Sequence, residues 1–243
     1  MGLMRGYMEK TVIRKATEKD WAAISRISSI AMYDDYINEI GPGYLKIGDT
    51  FVLEKGNLLG FLKIQYMPDG FLYVSGLRVD PTARRQGIGE NLTRYAISLA
   101  FDSGKKGARV LIHPENHASL SLSRKLGFYP IESFHFFLGE IDFSGFSESK
   151  SWPMRIIDLG FEYSLPTENF PATLMQKGSL RISVSKMDPI WNNRTLTILG
   201  NGQISFRNGK SLISFPEDYF TGTPPDLEPL SGFESAVLLE RKF

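Results

Sequence analysis

The chain has 243 residues, 42% of them hydrophobic, with 28 basic and 27 acidic side chains and a formal net charge of +1. That is enough apolar material for one large packed unit or two modest ones, and the balanced charge argues against non-specific nucleic-acid binding. The absence of cysteine excludes disulfides, thiolate metal sites and a thiol nucleophile, and no 18-residue apolar run or secretory segment stands out, so a cytoplasmic protein away from membranes is expected.

Residues 11–16 (TVIRKA) read as a first strand. Thr17 to Asp20 form a capping-box pattern, and Trp21, Ile24, Ile27 and Ala31 follow at helical spacing. A second helical stretch, 31–40, stops at Gly41-Pro42. Two strand-like runs, 50–56 and 58–67, flank Gly56-Asn57, and Pro68-Asp69-Gly70 is a turn signal. Residues 71–79 (FLYVSGLRV) read as the fourth strand, in which Gly76 invites a bulge. From Ile88 the spacing turns helical through Leu92, Ala96 and Leu99, ending near Gly104. A strand at 108–113 precedes a helix capped by Asn116, with Ala118, Leu122 and Leu126 as its expected buried stripe and Gly127 as its stop. The run 133–141 (SFHFFLGEI) then completes an α/β unit near residue 142.

Beyond this the pattern alternates apolar and polar residues, with hairpin signals at Gly200-Asn201-Gly202 and Asn208-Gly209. The expected organisation is an α/β (α+β) domain over 1–145 and a smaller β-rich domain over 146–243.

The stretch from 79 to 92 (VDPTARRQGIGENL) closes the fourth strand and opens a helix. Unpaired N–H groups at such a junction, with the helix dipole behind them, make an anion site. Gly87 and Gly89 admit a diphosphate close to the backbone, and Arg84 and Arg85 add cationic donors. A P-loop would need lysine and a hydroxyl after the last glycine, where Glu90 stands. A dinucleotide fingerprint would need a small residue at Leu92 and an earlier place in the chain. His113 and His117 lack a third ligand, so no metal is expected.

These residues resemble the acetyl-CoA signature of the GNAT superfamily of N-acetyltransferases, Arg/Gln-x-x-Gly-x-Gly/Ala, read here as Arg84, Gly87 and Gly89. A second block, NHASLSLSRKLGF from Asn116, is similar to that family's asparagine-led helix ending in Leu-Gly-Phe. The resemblance implies a mixed, mostly antiparallel sheet flanked by helices. Its fourth and fifth strands splay around the pantetheine arm, with contacts at Leu77, Arg78 and Val79. It implies diphosphate amides at Gln86, Gly87, Ile88, Gly89 and Glu90. Asn116, Ser119 and Ser123 form a polar stripe that would face the cofactor, with Arg124 and Lys125 near its phosphates. The expected activity is acetyl transfer from acetyl-CoA to a primary amine by direct attack on the thioester, in a monomer or homodimer. The alternative is a CoA-binding regulatory module without turnover.

The chain departs from the family at its usual acid and base. Ser123 stands where a tyrosine is frequent, Leu111 where protein-alanine-type members have glutamate, and Ser75 at another frequent glutamate. Glu115, His113 and His135 remain as candidate bases, and Asp34, Asp35 and Glu39, with Tyr33 and Tyr36, as an acceptor-side acidic face. Residues 179–206 resemble the sterol-carrier-like domain of enhanced-intracellular-survival-type acetyltransferases, whose terminal carboxylate reaches the active site. By that resemblance Phe243 joins Ser123 and Glu115 as a candidate catalytic group.

Overall fold

The computed structural model describes residues 10–30, 36–46, 48–66, 70–139, 145, 147–148, 156–158, 172–177, 180–185, 196–198, 202–207, 210–216, 227–229 and 234–243. The first part of the chain forms β1 (Val12–Lys15), α1 (Trp21–Ile30), α2 (Tyr36–Ile40), β2 (Asp49–Lys55), β3 (Asn57–Tyr66), β4 (Phe71–Val79), α3 (Ile88–Asp102), β5 (Gly107–Ile112), α4 (His117–Lys125) and β6 (Tyr129–Gly139). Strands β7 (Ser147–Glu148), β8 (Ile156–Asp158), β9 (Ala172–Lys177), β10 (Leu180–Ser185), β11 (Leu196–Ile198), β12 (Gly202–Arg207), β13 (Lys210–Pro216), β14 (Leu227–Pro229) and β15 (Ser235–Lys242) follow. Among the described residues no helix is long and apolar enough to cross a membrane.

Local chemistry sets the helix ends. The Thr17 backbone N–H and hydroxyl both donate to Asp20 Oδ2, at 2.7 and 3.0 Å, completing the expected capping box ahead of α1. Asp20 also takes a two-pronged ion pair from Arg14, which holds its carboxyl well below the ordinary carboxylate range. The α-helix ends at Ile40, before Gly41-Pro42 as expected, and a 3-10 helix from Gly41 to Lys46 follows and buries Tyr44.

Strands β1-β2-β3-β4-β5-β15-β6 lie in that order in one sheet, antiparallel except for the parallel pair β4–β5. These seven strands form the mixed, mostly antiparallel sheet that the resemblance implies. Side chains alternate across it. Leu53, Leu62, Ile64, Leu72, Val74, Val110 and Leu239 meet α3 and α4 on one face, whereas Val52 and Phe61 meet α1, Ile37 and Tyr44 on the other.

The seventh strand comes from the end of the sequence. β15 is inserted antiparallel between β5 and β6, with Val237 opposite Ile112 and Ser133, and Glu240 opposite Arg109 and Tyr129. The sequence reading places 235–242 in the unit 146–243; in the sheet they sit among the strands of the first unit. Arg109 and Glu240 are buried to 0% and 1% exposure and form an ion pair of 2.8 Å. The guanidinium lies over the Phe71 ring at 3.6 Å, and the Tyr129 hydroxyl reaches Glu240 at 3.3 Å.

The strands between β6 and β15 extend the sheet from β6 through β13, β12, β10, β9 and β7. The hairpin expected at Asn208-Gly209 forms, with Arg207 opposite Lys210. The turn expected around Asn201 lies outside the described residues; among the described strands β12 pairs parallel with β10, and β11 pairs with β8.

Candidate active site

The parallel ladder between β4 and β5 runs from Phe71–Gly107 to Val74–Val110 and ends there, although both strands continue. The cause is visible in β4. Ser75 pairs with Lys63 and Arg78 with Phe61, so two residues of β4, Gly76 and Leu77, oppose one residue of β3. Gly76 takes φ +59°, a left-handed conformation that a side-chain-bearing residue rarely adopts. The bulge bends β4 away from β5 and leaves Ser75 to Val79 half-buried along an opened gap.

The turn after β4 is anchored at its base and open at its tip. Asp80, buried to 5% exposure, accepts from Thr82 N–H at 3.0 Å, Thr82 Oγ1 at 2.7 Å and Arg26 Nη2 at 2.7 Å. The Thr82 hydroxyl, then Arg26, hold its carboxyl below the usual carboxylate range. Ala83 is buried, whereas Arg84, Arg85, Gln86 and Gly87 are exposed. Arg85 and Gly87 both have positive φ, +60° and +79°, and a Cβ at Gly87 would meet nothing within 4 Å. Among the described residues, no backbone hydrogen bond of a turn or cap is donated by Arg85 to Glu90; the α3 ladder begins with Asn91 N–H to Gly87 O at 2.9 Å. The geometry fits an anion: open space at Gly87, amides without a backbone partner, and the exposed Arg84 and Arg85 lie within one turn.

Ile88 is buried beneath this turn, and Gly89 lies against β4 and α4, since a Cβ there would contact Val79, Leu122 and Leu77 at 3.6–3.7 Å. These three half-buried apolar side chains line the gap. Glu90, expected among the amide donors, also carries a side-chain role: it accepts from Lys125 at 2.6 Å and from Arg94 at 2.9 Å, and these two cations, Lys125 first, lower its pKa. Lys125 therefore bridges α4 to α3, while Arg124 is exposed.

Asn116 caps α4 as expected, its Oδ1 accepting from Ser119 N–H at 3.1 Å. The buried side of the helix differs from the expected stripe. Leu120, Ser123 and the capping Leu126 are buried, Ala118 is exposed and Leu122 is half-buried. The helix is nine residues long, and packing of Leu120 with Leu126 and Phe128 onto the sheet core sets its rotation. Of the polar stripe, Asn116 is exposed, Ser119 half-buried and Ser123 buried.

Glu115 is exposed beside Asn116, and its N–H donates to His113 Nδ1 at 3.2 Å. Phe243 lies elsewhere. Its N–H bonds Lys106 O, before β5, and its ring packs edge-on against Phe101 at 5.6 Å. Phe101 is near the C-terminal end of α3, about 20 Å along the helix from the open turn. The structure thus does not bring Phe243 to the gap. Tyr33, Asp34 and Asp35 lie outside the described residues, as do the side chains of Tyr36 and Glu39. His135 pairs through its backbone with Ser235 and Phe215, in β6. Sequence reasoning missed Glu234, whose Oε2 stands 4.0 Å from His113 Nε2; nothing in its local sequence marks it.

Residues 13–128 match the acetyltransferase (GNAT) family. Over 91 residues the chain is 35% identical to GCN5-related N-acetyltransferase 6, chloroplastic, of Arabidopsis thaliana; the match covers 37% of this chain and 32% of that protein, about a third of its length. A Thermoplasma acidophilum crystal structure, described as a candidate acetyltransferase, superposes with a TM-score of 0.54 at 14% identity, covering 96% of this chain and 100% of that one. A Salmonella typhimurium candidate acetyltransferase solved with its cofactor acetyl-CoA gives a TM-score of 0.44 at 21% identity, over 51% of this chain and 82% of that one. None of these likenesses supports the sterol-carrier resemblance of 179–206. The likeness to that family covers residues 13–128.

Proposed function

We propose that this domain uses acetyl-CoA to acetylate a primary amine. The observation that carries the reading is the gap between β4 and β5, opened by the Gly76 bulge directly beside a turn of unpaired amides. Acetyl-CoA supplies an activated acetyl group as a thioester. The amides of Gln86 to Gly89, with Arg84 and Arg85, would hold its diphosphate at the N-terminus of α3. The edge of β4 beyond its ladder with β5, at Leu77, Arg78 and Val79, would pair with the amides of the pantetheine arm, as an added strand does. Leu77, Val79 and Leu122 exclude water along the arm, and Asn116 and Ser119 border it.

An alkylammonium with a pKa near 10.4 is neutral in only about one molecule in 10³ at pH 7, so the acceptor must lose a proton before it can react. Holding the two reactants together lowers the barrier by several kcal/mol, and acid–base help adds about 10²–10⁴-fold. A second reading, a CoA-binding regulatory module, is favoured by one observation: Ser75, Leu111 and Ser123 supply neither of the family's usual acid and base. Mixing the protein with acetyl-CoA and a panel of primary amines and following thiol release separates the two. Release dependent on an amine is expected. Tight acetyl-CoA binding with no release for any amine would establish the module instead.

A further inference from the structure

The turn that closes β4 has a second side. Asp80 N–H donates to Leu59 O at 2.9 Å, which pins the turn to the start of β3, and the Asp80 carboxylate reaches Arg26 on α1. α1 packs on the face of the sheet opposite α3 and α4. Between α1, the start of β3 and the Asp80 turn lies a cavity of about 410 Å³, a size that holds small molecules. Leu77, Val79 and Leu122, which line the gap, are not among the described residues that line this cavity.

The cavity has an apolar wall and a polar rim. Ala23 on α1 and Leu58 and Leu59 on β3 make the wall, and a hydrocarbon laid on them leaves water. On the rim, Asp80 is 5% exposed and its carboxylate is committed. Its Oδ1 accepts from the Thr82 N–H and hydroxyl, and its Oδ2 from Arg26 Nη2. The Arg26 side chain is 50% exposed, and among the described residues its hydrogen bonding is the one bond to Asp80. A guanidinium carries five N–H donors in a fixed fork, so most of the fork is left over. The Asn57 side-chain amide, also on the rim, makes no hydrogen bond among the described residues. The rim therefore offers donors in excess.

The same chain shows what completes such a fork. Arg14 donates through Nη1 and Nη2 to Asp20, and through Nε and Nη2 to Glu54, so one guanidinium bridges two carboxylates. Arg26 has a first carboxylate in Asp80, and the cavity lies where a second would come from a ligand. Asp80 already places one negative charge beside the site, so a single further charge is matched better than a doubly charged phosphate.

From this arrangement we infer that the cavity is a binding site for a small monocarboxylic acid with a compact apolar body. Its carboxylate pairs with the remaining donors of Arg26 and accepts from the Asn57 amide, and its hydrocarbon covers Ala23, Leu58 and Leu59. The site is separate from the gap and does not rest on the acetyltransferase reading. It meets the diphosphate turn only through Asp80 and Thr82, at the base of that turn.

An NMR titration of the isotope-labelled full chain with cyclohexanecarboxylate tests this. Saturable shifts at the backbone amides of Ala23, Arg26, Asn57 and Leu59 are expected, with a dissociation constant of about 1–10 mM for a ligand of this size. Cyclohexanecarboxamide, uncharged and nearly the same shape, should bind about tenfold more weakly, a comparison that needs no variant. A folded Arg26→Gln variant should bind the carboxylate about tenfold more weakly as well. Excess acetyl-CoA should leave the titration unchanged. Shifts that do not saturate, equal binding of acid and amide, or full affinity in Arg26→Gln overturns the proposal. So do shifts centred on Gln86 to Gly89, or displacement by acetyl-CoA, either of which would put the acid in the diphosphate turn instead.

Discussion

Two stretches of the sheet make the gap, and they are built by opposite means. The β4–α3 junction is local: bulge, capped turn, open amides and helix start lie within 16 consecutive residues, Ser75 to Glu90. The β5–β15 side is non-local: Arg109 meets Glu240 across 131 positions, and the strand that completes the sheet arrives after all the others. A local device tolerates insertions elsewhere because its geometry is set by neighbouring dihedrals. A non-local one depends on a specific pair of side chains to fix register, since a one-residue slip would turn every side chain of β15 to the other face.

The sharpest way to break this comparison is at the buried pair. Glu240→Ala leaves the Arg109 guanidinium buried without its carboxylate, and a loss of about 3–5 kcal/mol in unfolding free energy is expected by denaturant titration. Replacing both, Arg109→Met with Glu240→Leu, should restore most of that loss, because apolar isosteres of a buried pair are commonly neutral or better. Equal loss in the single and double variants would mean that the pair does not hold the strand. Acid should act in the same direction. Burial raises the Glu240 pKa, but the Arg109 hydrogen bond and charge, with Lys242, bring it below its ordinary value of 4.5. A carboxyl lowered on folding contributes stability above its unfolded pKa and loses it as pH falls through the folded value. The wild-type protein should therefore lose its advantage over Glu240→Ala below about pH 4, while the double variant shows no such step.

At the local side the expected effects are smaller. Ser123→Ala, at a buried position of α4, should change turnover by less than about tenfold, the scale of one neutral hydrogen bond; a loss of 10³-fold would make Ser123 a participant in the chemistry. Lys125→Ala removes an exposed ion pair with Glu90, and thermal unfolding is expected to show little or no shift in Tm.

How much of this was legible follows the same division. The Thr17–Asp20 box, the Gly76 bulge, the Asn116 cap and the Arg84–Gly89 turn are written in short windows, and each forms. The rotation of α4 was not, because Leu120 and Leu122 both offer an apolar side and the choice between them is made by Phe128 and the sheet beneath. The place of β15 was not either. SAVLLERK reads as a strand in any sheet, and only Arg109, far away in the chain, identifies its neighbour. For the same reason Glu234 was invisible as a partner of His113, and Phe243, drawn to the gap by a resemblance, packs instead at the far end of α3.

The central claim is that the opened junction is an acetyl-CoA site. Calorimetric titration of the wild-type protein and of Gly87→Asp with acetyl-CoA tests it most directly. An added carboxylate at a position with open space would face the diphosphate, and repulsion of a few kcal/mol at close range is worth about 10²-fold in affinity. One acetyl-CoA per chain for the wild type, with binding weakened about 10²-fold in a folded Gly87→Asp variant, is the predicted result; equal affinity in the two folded proteins, or none in either, would contradict it.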